Sequence, residues 1–133
     1  MRPIKFRGIV SDPESPMFGE FVFGDLLRGY LGEKHRVYIK SKSSALFEIF
    51  PSTVGQFVGI KDCNEHDIYE GDILEITHAG EKSLHTVFWG GAEYPAFNLK
   101  PYLAFDHNEL SNITSVGNCV YVVGNIHNGQ KIL

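Results

Sequence analysis

Short apolar runs, separated by glycine and proline, set the pattern of this chain. Fourteen Gly and six Pro fall between runs too brief for long helices. The runs are rich in β-branched and aromatic residues, which suit a pleated, half-buried surface. Ile4-Lys5-Phe6-Arg7-Gly8-Ile9-Val10 alternates apolar and basic residues, so a strand with one buried and one solvated face is expected there. Ser11 to Pro16 is a loop by composition. A second strand pattern runs from Phe18 to Leu27, with Phe21 and Phe23 on one face and Val22 on the other. Gly24 inside it marks a bulge or a close backbone approach. The turn region Arg28–Lys34 leads to a strand at His35–Lys40, and the two runs suit a hairpin.

Further on, Leu46–Phe50 leads to Pro51, and Thr53–Ile60 reads as a strand, with Ser52 or Thr53 able to cap a single helical turn instead. Lys61–Asp67 is a polar turn. Ile68-Tyr69-Glu70-Gly71-Asp72-Ile73-Leu74-Glu75-Ile76 combines an apolar pair, a tight turn and an alternating strand. His78-Ala79-Gly80-Glu81 is a hairpin turn, and Leu84–Trp89 is its partner strand. Pro95 and Pro101 interrupt the aromatic stretch Tyr94–Leu103 and push it toward an edge. Asp106 and Glu109 have capping-box spacing, which predicts a short helix from His107 to Ile113. Val116–Ile126 is the last strand.

The fold class expected is therefore mainly β, with at most one or two short helices. The 133 residues suit one domain. An N-terminal β portion covers residues 1–55, and an SH3-like barrel portion covers 56–133, the two sharing a core. The residues expected to be buried are Phe6, Phe21, Phe23, Val37, Ile39, Phe57, Ile60, Ile68, Ile73, Ile76, Val87, Trp89, Val120, Val122 and Ile126.

Composition narrows the function classes. Ten Phe and six Tyr provide enough apolar area for a core without staples. Cys63 and Cys119 form no CxxC pair and read as free thiols of a reducing compartment. No apolar stretch suits a signal peptide or a bilayer span, so a cytoplasmic protein without membrane contact is expected. The net charge of -4 gives no general attraction to phosphate backbones.

No catalytic, metal or cofactor site is expected. Cys63-x2-His66-Asp67 lacks a second ligand pair and reads as a polar turn. His78 and His85 can approach each other across the hairpin, but solvent-facing histidines are the simpler account. Asp62, Glu70 and Asp72 are the carboxylates that a hydrolase would use, Glu70 and Asp72 by convergence at i and i+2. A tight turn calls for the same residues for backbone bonding. Cys119 lies in an apolar run and reads as a buried, inert thiol. No nucleophile elbow and no glycine-rich phosphate cradle is present.

Two binding chemistries remain. Arg36, Tyr38 and Lys40 share one strand face by period 2, and a basic strand with an interleaved aromatic can contact a nucleic acid strand. Arg2, Lys5 and Arg7 form a second basic group. Alternatively, exposed edges and aromatic patches such as Tyr94-Pro95-Ala96-Phe97 and Pro101-Tyr102-Leu103 suit a protein partner or self-association.

Five segments in order carry a family resemblance. They are Ile4-Lys5-Phe6-Arg7, Gly19-Glu20-Phe21-Val22-Phe23-Gly24, Thr53-Val54-Gly55-Gln56-Phe57-Val58-Gly59-Ile60-Lys61-Asp62, Ile68-Tyr69-Glu70-Gly71-Asp72-Ile73 and Val122-Val123-Gly124-Asn125-Ile126-His127-Asn128. Together they resemble the YopX family. The resemblance implies a phage or prophage origin and a β-rich fold with an SH3-like C-terminal part, and it implies no established activity. The sequence departs from the family pattern in three places. Glu65 stands where the family's turn often carries glycine, His127 stands at an aromatic position, and the C-terminus Gly129–Leu133 lacks the family's acidic, proline-containing tail. The expected function is a non-enzymatic binding or assembly module. A nucleic-acid-binding accessory protein is the alternative, and a carboxylate hydrolase comes last.

Overall fold

The computed structural model describes residues 5–28, 36–78, 80–89, 97–100, 119–127 and 129–130. The protein is mainly β and its paired strands are antiparallel. The strands are β1 (Phe6–Ile9), β2 (Phe21–Arg28), β3 (Val37–Lys40), β4 (Leu46–Ile49), β5 (Gly55–Lys61), β6 (Asp67–Tyr69), β7 (Asp72–His78), β8 (Glu81–Trp89), β9 (Phe97–Lys100), β10 (Cys119–Asn125) and β11 (Gly129–Gln130). Among the described residues the only helical piece is a 3-10 turn at Pro51–Thr53. The helix expected at His107–Ile113 lies outside the described residues. The chain divides into two compact units, Met1–Phe57 and Val58–Leu133.

In the first unit the neighbours run β4-β3-β2-β1-β5. The expected hairpin is present, with Leu26 opposite Ile39 and Arg28 opposite Val37. One edge of β1 pairs with β2. Its other edge is shared, with Arg7 opposite Gly55 on β5 and the chain just beyond it bonded to β4. Val10 bridges Ile49, Ser11 N donates to Glu48 O at 3.0 Å, and Phe50 N donates to Ile9 O at 2.9 Å. β4 is thus bonded on both sides at its Glu48–Ile49 end, which covers that part of its edge. Thr53 reinforces the closure: its Oγ1 accepts from Ile9 N at 2.9 Å and donates to Phe50 O at 2.6 Å.

Cross-strand partners share a face, so the register identifies the inner side. Val10, Val22, Val37, Ile39 and Ile49 form the core, with Phe6, Leu26, Phe47 and Val54 packed against it. This corrects one expectation. Val22, not Phe23, faces inward, and Phe23 is 48% exposed. Alternation gives two faces without saying which is inner, and here the register places Val22 beside Gly8. Space there is short: a Cβ at residue 8 would lie 3.1 Å from Ile49 Cβ. At this point the interior takes Val22 and Ile49, and the rings of Phe21 and Phe23 lie on the other face of β2.

In the second unit the neighbours run β11-β10-β7-β8-β9. The hairpin around Gly80 joins β7 and β8. Val58, Ile68, Leu74, Ile76, Val87, Leu99 and Val120 form its core. The pairing of β10 with β7 shifts between Val122 and Gly124, so Val123 is the extra residue of a bulge. Of the residues expected inside, Val37, Ile39, Phe57, Ile68, Ile76, Val87 and Val120 are buried. Phe6, Phe21, Ile60, Ile73 and Val122 are half-buried. Ile126 is 56% exposed, a second correction. It lies one residue beyond β10, where its N–H bonds to Gly71 O at 2.9 Å and strand alternation no longer directs its side chain. The side chain of Trp89 lies outside the described residues. No described helix is long and apolar enough to cross a membrane.

Candidate functional site

The loop from Asp62 to Asp72 holds the carboxylates and the Cys–His group that sequence chemistry singles out. Asp62 opens a turn, and its side chain is fully buried. Its Oδ1 accepts from Asn64 N and His66 N, each at 2.9 Å, as Asx turns do. Its Oδ2 accepts from Val122 N at 2.9 Å, 60 residues away. Cys63 N donates to Val120 O at 2.9 Å, and Val120 N donates to Cys63 Sγ at 3.4 Å. The turn therefore runs along the edge of β10 and bonds it where β11 does not reach. His66 Nδ1 lies 3.6 Å from Asp62 Oδ2, on a side chain that is 62% exposed. Among the described residues no group of three or more His, Cys, Asp or Glu side chains is placed to hold a metal ion.

Glu70 and Asp72 do not converge as strand neighbours. Glu70-Gly71 is a turn between β6 and β7, where period 2 does not apply. Asp72 is 1% exposed, and its Oδ2 accepts from Tyr69 N at 2.7 Å. Gly71 N donates to Val87 O, and Gly71 O accepts from Ile126 N. The Ile68–Asp72 segment is thus a corner that ties β6, β7, β8 and the end of β10 together. Asn125 closes the same corner, its Oδ1 accepting from His127 N at 2.9 Å.

Glu65 occupies the left-handed region with φ 66. A side chain there costs ~1–2 kcal/mol, and glycine returns ~0.5–1 kcal/mol of that through unfolded-chain entropy. Glu65→Gly is therefore expected to stabilise the protein by about 0.5–1 kcal/mol. The check is urea unfolding: the midpoint should rise at constant m-value. A lowered midpoint would show that the turn stores no such strain.

The histidine expectation needs correction. The register sets His78 opposite Glu81 and His85 opposite Leu74, roughly 13 Å apart along the hairpin. His85 is also buried, at 3%, and not solvent-facing, with Nε2 2.6 Å from Ser83 Oγ. This Ser–His contact comes from i, i+2 spacing on one strand face, a signal the sequence carries but shares with many strands.

On the outer face of the first unit, Arg36 is exposed and lies 3.7 Å from Glu48. Lys40 is exposed as well, whereas Tyr38 is 8% exposed. Tyr38 stands in register between Leu27 and Glu48, and its ring is covered. The basic N-terminal strand differs from its expected solvated face. Arg7 is buried, its guanidinium 4.4 Å over the Phe21 ring, and Lys5 Nζ lies 4.7 Å over Phe57. Phe21 and Phe23 stack in a tilted arrangement with centroids 6.4 Å apart. Lys5 and Arg7 of the N-terminal basic group are thus used in cation–π contacts, while Arg2 lies outside the described residues. The aromatic segments Tyr94–Ala96 and Pro101–Leu103 lie outside the described residues.

No match to this chain was found among curated proteins. The family described as YopX protein matches residues 26–133. That span holds the Thr53–Asp62, Ile68–Ile73 and Val122–Asn128 segments, while Ile4–Arg7 and Gly19–Gly24 precede it. With most of its length matched in this way, the chain belongs to the YopX family.

Proposed function

We propose that this chain is a phage- or prophage-encoded binding or assembly module that works in the cytoplasm by contact and not by catalysis, with an SH3-like barrel in residues 56–133. The supporting observation is the use of its carboxylates. A hydrolase needs acids that face substrate, whereas Asp62 and Asp72 are buried and bonded to backbone amides of their own fold. The exposed thiol of Cys63 fits a reducing compartment. The phage assignment rests on the family resemblance.

The test is affinity capture of the tagged full-length chain from infected or lysogenic cells, followed by mass spectrometry. A protein recovered in stoichiometric amount, or the chain itself in a higher assembly, is the expected result. A chain recovered alone and monomeric under mild conditions would overturn the proposal.

A further inference from the structure

Within the first unit the edge of β4 is bonded to Val10 and Ser11. Strand addition is blocked at the Glu48–Ile49 end of that edge, and the face is the broader surface left to a partner. The inner face is core, which leaves the outer one. Five large apolar side chains between Met17 and Phe50 are exposed, namely Met17, Phe18, Phe23, Leu46 and Phe50, so this unit offers contact surface.

On the outer face the register lines up four exposed residues. Phe23 and Asp25 lie two apart on β2, Asp25 is opposite Lys40 on β3, and Lys40 is opposite Leu46 on β4. Phe23 is 48% and Leu46 41% exposed, and Asp25 and Lys40 are exposed between them. The order is apolar, acidic, basic, apolar. Read backwards, the same row is its own complement in shape class and in charge.

We infer that this row is a two-fold self-association surface whose occupant is a second copy of this chain. The inference rests on the assembly reading above and names its contact. In an isologous interface the same patch meets itself. On an ideal pleated lattice, strands stand about 4.8 Å apart and same-face neighbours about 6.7 Å apart along a strand. An in-plane axis that exchanges Phe23 with Leu46 then sets Asp25, in projection onto the sheet, within about 3 Å of the second copy's Lys40, and the two side chains span the roughly 10 Å between the faces. Both apolar pairs and both ion pairs form together. A nucleic acid strand fits this face less well, because Asp25 and Glu48 lie beside its cations and repel phosphate.

Charge reversal with mixing tests this. Wild-type protein should show concentration-dependent dimers by sedimentation equilibrium. Asp25→Lys alone sets lysine against lysine across the axis, and Lys40→Asp alone sets aspartate against aspartate. Each should dimerise about tenfold more weakly or worse. An equimolar mixture of the two should recover dimers, now heterodimers. In them the introduced lysine of one chain meets the introduced aspartate of the other, and the native Lys40 of the first meets the native Asp25 of the second. A folding defect in either variant could not be repaired by mixing. Phe23→Ala, at an exposed position, should weaken dimers while keeping the wild-type circular dichroism spectrum.

A wild-type chain that stays monomeric from about 1 μM to about 1 mM overturns the inference. So does a wild-type dimer that Asp25→Lys leaves intact, or a mixture that recovers nothing. A monomeric wild type that still captures a different protein from cells overturns this surface and leaves the binding-module reading in place.

Discussion

Asp62→Asn is expected to lower stability by about 2–4 kcal/mol, although it removes only a charge and keeps the shape. Both oxygens of Asp62 act as acceptors, Oδ1 for Asn64 N and His66 N and Oδ2 for Val122 N. An asparagine amide has one oxygen and one NH2. Whichever way it is oriented, an NH2 group faces an amide N–H that it cannot bond. Hydrogen bonds to a charged group are worth about 1.5–3 kcal/mol each, against about 0.5–1.5 kcal/mol for neutral ones, so all three bonds weaken and at least one is lost. Asp62→Ala leaves three donors without their acceptor and should cost more, about 3–5 kcal/mol. For a domain holding ~5–15 kcal/mol in total, that brings the unfolded state within reach at moderate temperature. Urea unfolding gives the magnitude. Hydrogen exchange at Val122 gives the location, because protection there should fall before protection at core amides such as Leu74. An Asp62→Asn protein with the wild-type midpoint would show that the turn does not hold the β10 edge.

The two sides of Asp62 differ in how far the sequence reveals them. An aspartate near the start of the polar turn Lys61–Asp67 suits backbone bonding within the turn, and its bonds to Asn64 and His66 are of that local kind. The bond to Val122 depends on two strands meeting 60 residues apart, and no periodicity in either segment contains it. The corner at Ile68–Asp72 divides in the same way. The turn and the strand after it follow from Glu70-Gly71-Asp72 and the alternating apolar residues. The bonds of Gly71 to Val87 and Ile126 follow only from the assembled sheet.

Strand positions were therefore legible, because β-branched and aromatic runs between turn residues are local signals. Face assignments were less so. Aromatic rings at Phe21 and Phe23 suggest an inward face by hydrophobicity, yet the register with Gly8 gives the interior to Val22. Arg7 reads as a solvated cation, but Phe21 lies on the adjacent strand and takes its guanidinium from water. Arg36, Tyr38 and Lys40 do alternate as period 2 requires. Tyr38 is covered because its cross-strand neighbours are Leu27 and Glu48, a fact of pairing and not of spacing. The one turn anomaly visible in sequence, Glu65 at a position where the family often has glycine, coincides with positive φ, since that geometry is local.

Gly24→Ala should be the most damaging single methyl group in the first unit, at about 2–6 kcal/mol. Gly24 has φ +156, which side chains rarely adopt. A Cβ built there overlaps the carbonyl oxygen of Lys40 and lies 2.8 Å from its carbonyl carbon and 3.0 Å from Ser41 Cα. All three are backbone atoms, so no rotamer change relieves the contact. The chain can yield only by separating β2 from β3, which breaks the pairing of Asp25 with Lys40 and of Leu26 with Ile39. Backbone strain of about 1–3 kcal/mol and overpacking of about 1–3 kcal/mol therefore add. Gly19→Ala is the control. It also carries positive φ, +81, but its new Cβ meets nothing within 4 Å, so only the conformational cost of ~1–2 kcal/mol remains. Comparing the two variants by urea unfolding separates collision from backbone preference. Equal losses would mean that β2 and β3 part easily at this point, and the face that presents Phe23, Asp25, Lys40 and Leu46 would then lack the rigid register on which its self-complementarity depends.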